Sequence, residues 1–256
     1  MKSDIYIPRD ELKPFIRIFV ISESEKANTY KVLPGTEIVI GFQYSGKLSY
    51  RENDQEMPLS SSGLTGLRDS FRVFSHSNHI GSILVFFKEG GAPVFFKQPI
   101  HELFMESVSL DNFILRSELL ILEEKLQETK KDIEKVNIVE EFLISRMNHS
   151  QPDLLVFSAI SFIYQSKGNI RIKELTEKLH ISQSPLEKRF RQAVGTSPKK
   201  FASIVRFKNT LQQYNANSSL TALGYEAGYY DQAHFIKEFK SFTGESPENF
   251  FSRKYK

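Results

Sequence analysis

The sequence predicts an α+β chain in two parts. Residues 1–147 read as a β-rich sandwich or small barrel with two covering helices. Residues 153–256 read as an all-α part, two similar units joined by a long helix. Three observations carry this. Short β-branched and aromatic runs, separated by turn residues, fill the first hundred positions. After Ser109 the apolar spacing switches to three and four. Near the C-terminus a pattern of apolar residues, glycine and proline recurs at a fixed interval.

The expected strands are IRIFVI (16–21), YKVL (30–33), EIVIGFQ (37–43), KLSYR (47–51), FRVFS (71–75) and SILVFF (82–87). Turn signals divide them: PG at 34–35, SG at 45–46, END at 52–54, SSSG at 60–63 and EGG at 89–91. Many short strands with short connections suit an antiparallel sandwich or barrel. The next segment places Leu115, Leu119, Leu122 and Leu126 on one helical face, then Ile133, Val136, Val139 and Leu143 on another. Two amphipathic helices broken near 127–131 fit, covering the sheet, with an outer face open to a second subunit. NHSQPD (148–153) reads as the linker, because its proline disfavours helix through Gln151.

The repeat lies beyond the linker. Phe190 and Phe239, Gly195 and Gly244, Pro198 and Pro247, and Phe201 and Phe250 are each 49 apart. Before the turn the offset is 48, as between Leu175 and Leu223, so the second unit has one more turn residue. In the first unit Ile172, Leu175 and Leu179 share a face. A turn follows at His180–Ser182, Ser182 is placed to cap, and Leu186, Phe190 and Val194 line the next helix. Gly195 stops it, and Ser197–Pro198 starts another. The second unit uses Leu220, Leu223, Ala227, Gly228, Asp231 as cap, Phe235, Phe239, Phe242, Gly244 and Ser246–Pro247 in the same order. Helix, tight turn, helix is the helix-turn-helix unit. PKKFASIVRFKNTLQQY (198–214) joins the two units without a breaker. Units so joined can enter successive major-groove segments about 34–36 Å apart.

The stretch SLTALGYEAGYYDQAHFIKEFKSFTGESPENF (219–250) resembles the C-terminal signature of AraC/XylS-type bacterial transcriptional regulators. With the upstream unit, the resemblance covers about residues 153–253. It implies base contacts at Ser184, Glu187 and Lys188, and at Ala233, His234 and Lys237. The docking geometry of a recognition helix adds Gln183 and Gln232 at the exposed helix starts. Glutamine can pair with adenine, lysine donates to guanine, and glutamate accepts from cytosine. Lys199, Lys200, Arg206, Lys208 and Lys240 are candidates for phosphate, which sets register without reading sequence. Arg189 and Arg191, beside the buried Phe190 row, are expected to reach phosphate or acidic partners. For the N-terminal half the resemblance implies a cupin-like regulatory domain that senses a small-molecule effector, dimerises, or both. Promoter DNA, RNA polymerase and a second copy of the chain are the implied macromolecular partners.

Charge agrees. Residues 153–256 hold 16 Lys+Arg and 9 Asp+Glu, a net of +7; residues 1–152 hold the remaining 18 and 22, a net of −4. Such asymmetry fits one half that meets a polyanion. With no cysteine, disulfides, zinc–thiolate sites and thiol nucleophiles are excluded. The charged start MKSDIYIPRDELKP has no apolar signal core, and no run of 18 apolar residues occurs, so a cytoplasmic protein is expected, with no membrane partner. Phe42, Phe71, Phe74, Phe86, Phe87, Phe95 and Phe96 suit either core or an apolar pocket. His76 and His79 lack a third ligand at metal spacing, and no phosphate loop or nucleophile elbow occurs, so neither a metal, a cofactor nor catalysis is expected. A barrel enzyme with a helical accessory domain, and a protein-interaction module, remain the alternatives.

Overall fold

The computed structural model describes residues 2–96, 98–148, 152–215 and 219–254. Ten strands form two antiparallel sheets among them. The strands are β1 (Lys2–Tyr6), β2 (Ile16–Ser24), β3 (Asn28–Val32), β4 (Val39–Ser45), β5 (Leu48–Glu52), β6 (Gln55–Pro58), β7 (Ser62–Thr65), β8 (Arg72–His76), β9 (Ile80–Phe87) and β10 (Ser107–Ser109). The six-stranded sheet runs β1-β2-β9-β4-β7-β10 and the four-stranded one β3-β8-β5-β6. The arrangement is a sandwich, as expected, and not a closed barrel.

All six expected strands are present. Four others are not legible as hydrophobic runs: β1, β6, β7 and β10 are edge or short strands, rich in Ser, Gly and charge. The SSSG stretch, expected as a turn, contains the start of β7, because Gly63 and Ser62 pair with Gly41 and Phe42 of β4. The END turn holds: Asn53 and Asp54 both take positive φ (47° and 61°), the geometry of a two-residue hairpin between β5 and β6.

The main core lies on the helix side of the six-stranded sheet. Ile40 and Phe42 of β4, and Ile83, Val85 and Phe87 of β9, turn that way and are buried. They meet α1 (Arg116–Glu128) and α2 (Asp132–Ile144). The covering faces are Leu119, Leu122 and Leu126, and Val136, Val139 and Leu143. Leu115 and Ile133, expected on those faces, are exposed, because each stands at a helix start before the turn that packs.

The C-terminal part is helical throughout: α3 (Leu154–Gln165), α4 (Ile172–Lys178), α5 (Gln183–Val194), α6 (Pro198–Gln213), α7 (Leu220–Glu226), α8 (Gln232–Thr243) and α9 (Pro247–Lys254). The expected linker is partly visible. Asn148 is tied to the N-terminal part through Val94 O and Pro93 O, and Asp153 caps α3 by accepting from the Leu155 and Val156 amides. His149, Ser150 and Gln151 lie outside the described residues.

The two parts are not separated by open space. The main core runs on through Val156, Ile160 and Ile163 of α3, Leu175, Leu186, Phe190 and Val194, to Phe201 and Val205 of α6. A second core holds Ile204 and Phe207 from the same helix with Leu223, Ala227, Tyr229, Phe235, Phe239, Phe242 and Phe251. Helix α6 thus gives one face to each cluster. The repeat-equivalent stop glycines are both corners against the N-terminal part. A Cβ on Gly195 would lie 3.1 Å from Ile100, and one on Gly244 2.3 Å from the Phe71 ring.

Polar contacts reinforce this seam. Glu89 accepts from Arg17 at 2.7 and 2.9 Å, from Thr36 at 2.8 Å, and from the Tyr164 hydroxyl of α3. Glu37 accepts from Arg17 at 3.0 Å and from Lys208 of α6 at 2.9 Å. Burial works against the Glu89 charge, but the Tyr164, Arg17 and Thr36 contacts outweigh it and hold its pKa below the ordinary 4.5. A carboxylate depressed on folding contributes stability above its unfolded pKa, and loses it as pH falls through the folded one. Wild type should therefore exceed Glu89→Gln in urea midpoint at neutral pH, with the gap closing in acid below about pH 4.5. A gap that stays constant across that range would refute the assignment.

Candidate nucleic-acid interface

Each unit is built by local rules. The turn between α4 and α5 places His180 at φ 51°, and that between α7 and α8 places Gly228 at φ 79°. These residues are 48 apart, so the extra residue of the second unit falls after its glycine. A side chain at a left-handed position is strained, and glycine is not. Gly228→Ala should cost about 1–3 kcal/mol of second-unit stability, because its Cβ would also meet Asn169 Oδ1 at 2.3 Å. His180→Gly should be neutral or mildly stabilising. Thermal denaturation of the two variants checks the contrast, and equal losses would contradict it.

Caps differ between the units. Asp231 accepts from the His234 amide at 2.7 Å and starts α8. Ser182 has the extended backbone of a cap and its carbonyl accepts from the Leu186 amide, but its side chain makes no capping bond, contrary to expectation. Ser197 caps α6 and Ser219 caps α7. Both α5 and α8 end at a left-handed glycine, Gly195 at φ 96° and Gly244 at φ 80°.

The buried faces are as the repeat predicts: Leu186, Phe190 and Val194 on α5, and Phe235, Phe239 and Phe242 on α8. On the opposite faces Gln183, Ser184 and Lys188, and Gln232, Ala233, His234 and Lys237, are exposed. Glu187 is half-buried, and its carboxylate accepts from Gln183 Nε2 at 2.8 Å. His234 Nε2 lies 3.4 Å from Glu238, one turn on. Lys199 and Lys240 are exposed.

Three cations expected at phosphate are engaged elsewhere. Arg206 turns inward: its side chain is 16% exposed, donates to both Glu238 oxygens at 2.7 and 2.9 Å, and stacks over Tyr229 at 4.5 Å. It joins α6 to α8 and is not placed to meet DNA, so the sequence-based expectation for it is corrected. Helical spacing misleads here because α6 is covered on more than one face. Lys200 pairs with Asp69 at 2.7 Å and Lys208 with Glu37, both across the seam. Arg189 finds the acidic partner foreseen for it: Asp153, with bonds of 2.7 Å from both Nε and Nη2.

The N-terminal phenylalanines divide. Phe42, Phe87, Phe95 and Phe96 are core, Phe74 and Phe86 line a cavity between the sheets, and Phe71 abuts Gly244. His76 is buried at that cavity and His79 sits on an exposed turn; among the described residues no group of three or more candidate ligands could hold a metal ion.

Parts of the chain are similar to known proteins. Residues 175–253 match the family model described as a helix-turn-helix domain, and residues 4–109 match a domain of unknown function (DUF6597). The Msm operon regulatory protein of Streptococcus mutans is 29% identical over 119 residues, which are 44% of this chain and 42% of that protein. The raffinose operon transcriptional regulatory protein RafR of Pediococcus pentosaceus is 30% identical over 91 residues, 35% of this chain and 33% of that one. The chain thus spans less than half the length of the curated relatives it matches. A crystal structure of ToxT from Vibrio cholerae covers 92% of this chain and 97% of its own, at 14% identity and a TM-score of 0.45. Two helix-turn-helix units with the same stops and restarts, joined by α6 and matched as a family across 175–253, make this part of the chain an AraC-type helix-turn-helix domain.

Proposed function

We propose that the protein is a sequence-specific regulator of transcription that reads double-stranded DNA with α5 and α8. One observation carries the reading: the two repeat-related helices bury their phenylalanine faces and leave Gln183, Ser184 and Lys188 exposed at the positions of Gln232, Ala233 and Lys237, with His234 exposed beside them. In this reading these residues and Glu187 face base edges in successive major-groove segments. Lys199 and Lys240 meet phosphate. Lys200 and Lys208 are free to do so only when their contacts to Asp69 and Glu37 open.

The N-terminal part supplies the input. Its cavity takes a small effector, and β3 links cavity to reading head: Tyr30 and Val32 line the cavity, while Lys31 between them donates to Thr243 O at 3.0 Å and to Glu245 at 3.2 Å. A homodimer through the exposed Leu120 and Ile121 of α1, contact with RNA polymerase, and a cytoplasmic location complete the proposal. No helix among the described residues is long and apolar enough to cross a membrane.

Genome-wide mapping of bound sites would supply the operator. Titration of that operator at several salt concentrations then tests the reading. Log affinity should fall linearly with log salt, with a slope of about −0.9 per phosphate neutralised, and footprints should show two protected segments. Binding without salt slope or sequence preference would overturn it and favour a protein-interaction module.

A further inference from the structure

The two sheets enclose a cavity of about 330 Å³. Strand alternation builds its walls. On β9 the residues between the core positions, Leu84 and Phe86, face the cavity; Val39 does so on β4, and Phe74 on β8. None of these four is fully buried, whereas their neighbours Ile83, Val85, Phe87 and Ile40 are. A domain core is packed to crystal-like density and leaves few voids. This space is therefore a chamber of the small-ligand class, at the lower end of the usual range of about 300–1,000 Å³.

Its lining holds two arginines, Arg68 and Arg72, and one carboxylate, Glu37. Arg72, 4% exposed, stacks over Tyr50 at 3.8 Å and donates to Ser107 Oγ at 2.7 Å, Met105 O at 3.2 Å and Glu52 at 3.3 Å. Arg68, also in the lining, donates to Met105 O through Nη1, yet its Nε is buried without a partner. His76, at the far end of β8, likewise keeps a buried Nε2 without a partner. The charge is undercompensated. Asp69, the next residue, is committed to Lys200, and Glu37 of the lining to Arg17 and Lys208, while Glu52 is half exposed and Glu106, which also acts on both arginines, is exposed. Burial first, and the Arg72 charge second, push the Arg68 pKa down to about 10.

A purely apolar occupant would strip water from Arg68 and offer no return, and a neutral hydroxyl would return only an ordinary hydrogen bond. An anion would answer the guanidinium with a charge-assisted bond. A dianion would lose more hydration against the apolar walls than one free donor returns. We infer that the chamber binds a small apolar monocarboxylate, its carboxylate accepting from the Arg68 guanidinium within the field of Arg72 and its body against Leu84, Phe86 and Phe74. The inference rests on the effector-chamber reading above and adds the charge of the ligand.

Calorimetric titration of the full chain tests it, with a panel of compact monocarboxylates and their matching alcohols, such as cyclohexylacetate and cyclohexylethanol. The carboxylates should bind wild type at least about tenfold more tightly than the alcohols. Arg68→Met should abolish that preference, with Arg68→Gln as the second variant should the first not fold. Equal binding of carboxylate and alcohol to wild type would overturn the anion inference and leave the chamber reading standing. A carboxylate preference that survives both Arg68 variants would also overturn it, placing the anion elsewhere. Binding of neither class would overturn both. Operator footprinting without added ligand reports separately on the DNA-binding reading.

Discussion

Phe239→Ala is expected to unfold the second helix-turn-helix unit while the rest of the protein remains folded. Phe239 is fully buried, and its ring meets Phe207 at 5.5 Å, Phe235 at 5.7 Å, Phe250 at 5.3 Å and Phe251 at 5.4 Å. Truncation at such a site removes transfer energy and leaves a void, about 3–5 kcal/mol together. That is a large share of the stability of an ordinary small domain, about 5–15 kcal/mol. The loss should stay local, because the second core is a cluster distinct from the first and shares only α6 with it. Urea unfolding should become biphasic, and the operator footprint should shrink to the segment read by α5. A single cooperative transition would show that the two cores unfold together, and a loss below about 1 kcal/mol would contradict the packing of Phe239.

The second large effect falls on binding. Lys188 and Lys237 occupy the same position of their helices, 49 residues apart, and both are exposed. If each meets a base edge or phosphate, alanine should cost about 1–3 kcal/mol at each. Lying in separate units, the two losses should nearly add, to about 2–6 kcal/mol in the double variant. Thermal stability should not change, since neither side chain is packed. Lys178→Ala is the control: Lys178 pairs with Glu174 at 3.7 Å, lies over the Phe162 ring at 5.5 Å, and stands on the preceding helix. Fluorescence anisotropy on the mapped operator decides the matter. Unchanged affinity in the double variant would remove both lysines from the interface.

The candidate interface was largely legible because its signals are local. Asp231 as cap, Gly195 and Gly244 as stops, and the four-residue spacing of Leu186, Phe190 and Val194 are consequences of backbone geometry within one or two turns. Arg206 was misread for a non-local reason: its partner Glu238 lies 32 residues away, on a helix whose rotation no local spacing sets. Ser182 was misread because a capping residue type does not settle its own rotamer. In the N-terminal part the strongly apolar strands could be recognised and the Ser-Gly strand β7 could not, since pairing with β4 and β10, and not composition, makes it a strand.

By itself the sequence determined the α+β order, the paired units, their turns, and all but Glu187 of the residues expected to be exposed on α5 and α8. Periodicity, caps and glycine stops act over a few residues and survive without knowledge of the rest. Only the tertiary structure decided how the parts meet. It placed the main core on the helix side of the larger sheet and carried it on into the first unit. It left a cavity between the sheets. It turned Lys200 and Lys208 toward Asp69 and Glu37, the latter pair 171 residues apart. These depend on which surfaces exclude water together, and contacts so distant along the chain leave no periodic trace in it.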